Sequence, residues 1–168
     1  MISKTLTLTF LIFYFNLETA NSTEYCKTIL QKYALLSIYN ITICGEKDVK
    51  YNNIFNTNFT ITIKYLRNSS SKWIINQSIK EIQKHYILTK EEESFYREKF
   101  TSFPNIKLQD EVKIKFNHVN GIRVYHNNKP IMNIADLDYS IKFTNIWLHP
   151  NATFKKTRDL YFYSDNTW

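Results

Sequence analysis

The groups in this 168-residue chain that could do chemistry are four histidines, two cysteines and a scatter of carboxylates. A zinc site needs three or four ligands at workable spacing, and His85, His118, His126 and His149 form no such cluster. A catalytic histidine needs a nucleophile to serve, and no Ser or Cys nucleophile motif accompanies His118 or His126, both of which fall in a hairpin. His149 lies in "FTNIWLHPNATFKKTRDLYFY", between an apolar knot and the cations Lys155, Lys156 and Arg158. The His-Pro step reads as a cap or turn, and the cations fall mostly on the outer side of a final helix. No catalytic residue, metal ligand or cofactor is expected. Cys26 and Cys44 can form one disulfide closing a short loop or remain two thiols, because pairing geometry cannot be read from spacing.

The elements that would position these groups begin after residue 22. "MISKTLTLTFLIFYFNLETANS" places Lys4 ahead of an apolar run and ends in small residues, the pattern of a secretory signal peptide. Its apolar run is well short of the roughly twenty residues that span a bilayer. The expectation is an exported chain, periplasmic or secreted, with a signal peptide over 1–22 and a single domain over 23–168. Both cysteines then meet an oxidising compartment. The formal charge of +7 would suggest nucleic acid in a cytosolic protein. Here the lysines are mixed with Glu and Asp and form no block, which suits a solvated surface. No nucleic-acid partner is expected, and contact with a membrane surface stays open. Asn-x-Ser/Thr sequons begin at Asn21, Asn40, Asn58, Asn68, Asn76 and Asn151; several fall inside elements, which favours chance over glycosylation.

Alternation marks strands over Ala34 to Cys44 and Asn58 to Leu66, the latter with Phe59, Ile61, Ile63 and Tyr65 on one face. The polar stretch between them reads as a loop. After Arg67 the period changes. Ser69 to Ser71 offer N-caps, and Ile75, Ile79, Ile82 and Tyr86 form a stripe opposite Gln77, Lys80, Glu81 and Lys84. Thr89 and Glu92 have capping-box spacing for a second helix with Tyr96, Phe100 and Phe103. Val112, Ile114 and Phe116 then alternate across Asn120-Gly121 to Ile122 and Val124, a hairpin with a two-residue turn. Asp136 caps a third helix ending at Pro150, and a short fourth runs to about Phe162. Strands, helices, a hairpin and helices in this order predict an α+β domain whose antiparallel sheet is covered by helices on one face.

"YLRNSSSKWIINQSI", "FPNIKLQDEV", "GIRVYHNNKPIMNIAD" and "FTNIWLHPNATFKKTRDL" resemble, in order and spacing, segments of bacterial exported proteins with a chalcone isomerase-like domain. The resemblance covers most of Ala34 to Phe162. It implies a chalcone isomerase-like open-faced β-sandwich with a ligand cleft between sheet and helices. In the plant enzymes an early-strand Arg holds the phenolate, and Tyr, Lys and Asn follow at i, i+3 and i+7 of the next helix. Here that helix start gives Trp73, Asn76 and Lys80, or in the shifted register Lys72, Ile75 and Ile79. No Arg stands between Thr23 and Arg67, and Lys32, the cation near the expected place, lacks the planar fork of Arg.

Flavonoid isomerisation is therefore not expected. The implied cleft suits a small hydrophobic or fatty-acid-like ligand, with Arg67, Tyr65, Trp73, Lys32 and Tyr125 as its candidate contacts. Two alternatives stand beside this: an isomerase-like enzyme of unknown substrate, and a pocketless structural or interaction domain of the cell envelope. Asn128 and Gln109 replace family glycines, and Asn128 is expected at positive φ because Asn tolerates the left-handed region.

Overall fold

The computed structural model describes residues 24–33, 36–153 and 156–163. The expected signal peptide, Asn21, Ala34 and Lys155 lie outside them. Six strands form one antiparallel meander in chain order: β1 (Tyr25–Tyr33), β2 (Leu36–Gly45), β3 (Phe59–Tyr65), β4 (Glu111–Asn117), β5 (Gly121–His126) and β6 (Lys129–Ile134). The helices are α1 (Ser71–Gln83), α2 (Lys90–Phe100), α3 (Leu137–Leu148) and α4 (Lys156–Tyr163). A 3₁₀ turn over Tyr51–Asn56 occupies the stretch expected as loop and buries Ile54.

Period-two alternation gives the sheet one apolar face, with Ile41 and Ile43 of β2, the four apolar residues of β3, and Val112, Ile114 and Phe116 of β4 all buried. The register carries this face through Ile122 and Val124 to Met132 and Ile134. Helices cover it: Tyr96 and Phe100 of α2 and Phe143 and Trp147 of α3 sink into the same core. On the other face the register aligns Thr28, Thr42, Thr62, Lys113 and Tyr125.

The expected caps are present. Ser70 accepts from the Trp73 N–H, Thr89 and Glu92 form a reciprocal capping box, and Asp136 accepts from the Tyr139 N–H. The α2–α3 contact is clasped by Lys142, whose ammonium lies 2.7 Å from Glu92 and 2.6 Å from Asp138.

Four sequence expectations change. Strand β1 precedes the first strand expected, and β6 follows the hairpin. The β4–β5 turn spans three residues between paired Asn117 and Gly121, not two. Only Gly121 of the Asn-Gly pair has positive φ, at 74°, while the Asn117 side chain accepts from the N–H groups of Val119 and Asn120. A Cβ at Gly121 would meet the Ile134 carbonyl oxygen at 2.1 Å. The tight two-residue turn instead joins β5 to β6, where Asn127 and Asn128 have φ of 47° and 65°. Gln109, at 73°, is also left-handed. Finally, Arg158 is not on an outer face: its side chain is 13% exposed, pairs with Asp159 and lies 5.7 Å over the Tyr51 ring.

Candidate functional site

Helix α1 sets the site. Its buried residues are Ile74, Ile79, Glu81 and Ile82, while Ile75 and Tyr86 are half-buried. The inward face is thus turned from the stripe expected, and Glu81, expected on the solvent side, is only 8% exposed. Ile74 and Glu81 are seven residues apart, a spacing that returns to one helix face and was the available signal.

Between this face, strands β2 and β3, and helix α3 lies a cavity of about 420 Å³. Ile38, Ile63, Ile74, Ile146 and Trp147 supply apolar walls, and Trp73, 46% exposed, stands at its edge. Its volume is within the range of small-ligand pockets, roughly 300–1,000 Å³. A cleft filled by the protein's own aromatics, which a pocketless domain would need, is not what this geometry gives.

Gln77 and Ser78 of α1 add polar side chains to the lining, and Glu81, Lys84 and Thr153 form a hydrogen-bonded cluster there. Glu81 Oε1 lies 2.5 Å from Lys84 Nζ, and the Thr153 hydroxyl is within 3.0 Å of both carboxylate oxygens. Lys84 also donates to that hydroxyl at 2.7 Å. Tyr39 and Tyr65 pack with ring centroids 5.8 Å apart on the sheet side. Burial pushes both phenols well above the ordinary range; Tyr39 is raised further by the charge of Tyr65 and of Glu81, against a hydrogen bond from Trp147. Both stay protonated at any physiological pH. The Tyr65 hydroxyl has no hydrogen-bond partner among the described residues, and it is not a sealed atom.

A second polar cluster joins α1 to α3. Asn145, 4% exposed, donates to the Tyr86 hydroxyl at 2.5 Å, while its side-chain carbonyl oxygen is buried without a partner among the described residues. His85 and His149 stack at 4.0 Å between centroids. Desolvation lowers the affinity of both rings for a proton; Glu81 partly offsets this at His85, and the His85 charge adds to it at His149. His149 accepts from the Asn151 N–H through Nδ1, so its neutral form carries the proton on Nε2. It stands at the C-cap of α3, where its N–H donates to the Asn145 carbonyl.

Of the five residues proposed from sequence, the structure brings Tyr65 and Trp73 to the cavity. Arg67 is exposed beyond the end of β3, and Lys32 is exposed beside an irregularity in β1; neither is among the cavity's lining residues. Tyr125 lies on the opposite sheet face, where the Lys115 ammonium sits 5.5 Å over its ring in a separate cavity of about 440 Å³. Sequence reasoning missed Tyr39, Glu81, Lys84 and Thr153. Cys26 and Cys44, opposite each other in the β1–β2 register, form a disulfide. The one cluster of three potential metal ligands among the described residues is Glu24 with these two cysteines, and a disulfide leaves no thiolate to bind a metal.

No protein-family model matches the chain, and no curated protein matches it. Among solved structures it is similar to a fatty-acid binding protein of Arabidopsis thaliana, with a TM-score of 0.60 and 6% identity over 82% of this chain and 84% of that one. Identity this low shows the fold alone. The chain has the chalcone isomerase-like α+β fold: an open antiparallel sheet with helices across one face.

Proposed function

We propose that the protein is an exported binding module that holds a small amphipathic or acyl ligand between sheet and helices, without flavonoid isomerase activity. The observation that carries this reading is the cavity of about 420 Å³, which combines apolar walls from Ile38, Ile63, Ile74, Ile146 and Trp147 with the polar cluster of Glu81, Lys84 and Thr153. The similar Arabidopsis protein is described as a fatty-acid binding protein, which supports a hydrophobic ligand in a cavity of this fold. Export rests on the character of residues 1–22, and the absence of isomerisation rests on the missing early-strand Arg.

Native mass spectrometry of the protein after mild extraction tests the binding reading. A retained mass in the range of a lipid or similar amphiphile, lost from an Ile74→Trp variant that fills the cavity, is the expected result. Consistent recovery of the bare polypeptide, together with no uptake of added amphiphiles, would count against it. Amino-terminal sequencing of the secreted material checks export, with a start near residue 23 expected.

A further inference from the structure

Resting on the cavity as a binding site, we infer that it selects amphiphiles whose head is an uncharged hydroxyl over those ending in a carboxylate. The polar cluster is built around a fixed anion. Glu81 is buried, and its carboxylate is held by Lys84 and Thr153 from beyond the apolar walls. Among the described residues Lys84 is the one cation lining the cavity, and its charge is already matched by Glu81 at 2.5 Å. A ligand carboxylate arriving there would have to share the half-exposed Lys84 with Glu81, leaving two carboxylates around one ammonium. Like charges crowded in this way raise the cost of keeping both ionised.

A hydroxyl head meets no such conflict. It can donate to a Glu81 oxygen, since among the described residues Oε2 accepts only from Thr153, and it can accept from the Tyr65 hydroxyl, which has no hydrogen-bond partner among those residues. Both groups that would hold it line the cavity. The ion pair therefore leaves no unmatched positive charge in that cluster for a carboxylate to meet.

The test compares 1-dodecanol with dodecanoate, equal in chain length, by displacement of the neutral dye Nile red from the full protein at pH 7.5. Dodecanol is expected to bind at least about tenfold more tightly, the scale of one lost ion-pair or hydrogen-bond contribution. In Glu81→Gln the preference should shrink through tighter dodecanoate binding, with the fold checked by near-UV circular dichroism. Should that variant not fold, a pH series on the natural protein serves instead: dodecanoate affinity rises towards that of dodecanol as the acid protonates, while dodecanol affinity stays level. Dodecanoate binding equal to or tighter than dodecanol at pH 7.5 overturns the head-group inference alone. Failure of both to bind, with Ile74→Trp indistinguishable from the natural protein, overturns the binding reading beneath it as well.

Discussion

The Thr153 hydroxyl lies 3.0 and 2.9 Å from the two carboxylate oxygens of Glu81, a residue 72 positions earlier in the chain. This contact brings the turn after α3 onto the inner face of α1 and completes the polar cluster of the cavity. It explains how an acid can occupy a buried helix position: its oxygens are satisfied by one hydroxyl and one ammonium. Replacement by Thr153→Val keeps the shape and removes the hydroxyl. Loss of this hydrogen bond to a charged, buried partner should cost about 1–2 kcal/mol, read by urea denaturation. A change below about 0.3 kcal/mol would show that Lys84 alone satisfies Glu81.

The same relationship shows what was legible beforehand. Strand β3 is readable because Phe59, Ile61, Ile63 and Tyr65 all face the core and Thr60, Thr62 and Lys64 do not. The caps at Ser70, Thr89 and Asp136 are local chemistry and need no tertiary information. Strand β1 escaped because its inward positions include Lys27 and Gln31, so alternation is blurred; Gln31 is nonetheless buried. Strand β6 escaped because Pro130 sits near its start, a residue that usually demotes a strand. Glu81 reads as solvent-facing because it lies opposite the stripe of Ile75, Ile79 and Ile82, and the distant Thr153 joins the local Lys84 in making its burial tolerable. Tyr125 could have been excluded: next to inward Val124, period two turns it to the other face.

The Cys26–Cys44 bridge ties the edge strand β1 to β2 and closes a loop of 18 residues in sequence separation. Chain-entropy arguments give such a loop roughly 2–4 kcal/mol of stabilisation. Replacing both cysteines by Ser should lower the denaturant midpoint accordingly. Hydrogen exchange should quicken first in β1, the edge strand that the bridge ties to its one sheet neighbour.

Acid should weaken the fold through the stacked pair His85 and His149. Burial lowers the proton affinity of both in the folded state, so the unfolded chain binds protons more readily. Their contribution is therefore complete above the ordinary histidine value of 6.5 and is lost as pH falls below it. Thermal unfolding followed from pH 8 to about pH 5 should show this slope. His149→Phe keeps the stack without the titration, and its curve should be flatter over the same interval. An unchanged slope would place the acid sensitivity elsewhere.

Gln109 has φ of 73°, and its side chain is exposed while its N–H donates to the Tyr65 carbonyl at 2.8 Å. Gln109→Gly keeps that bond and removes the left-handed penalty of about 1–2 kcal/mol. The looser unfolded chain takes back about 0.4–1 kcal/mol. A net gain on the order of 0.5 to 1 kcal/mol is expected from chemical denaturation, against a loss for the β-branched Gln109→Val.

The central claim, that the cavity between the sheet and helices α1 and α3 is a ligand site, is tested most directly by isoleucine-methyl NMR during titration with 1-dodecanol. Ile38, Ile63, Ile74 and Ile146 line the cavity, while Ile54 and Ile134 are buried and are not among its lining residues. Saturable shifts concentrated on the first four methyls, and absent in Ile74→Trp for the remaining three, are the predicted result. Shifts spread evenly over all methyls, or none at saturating dodecanol, would contradict the claim.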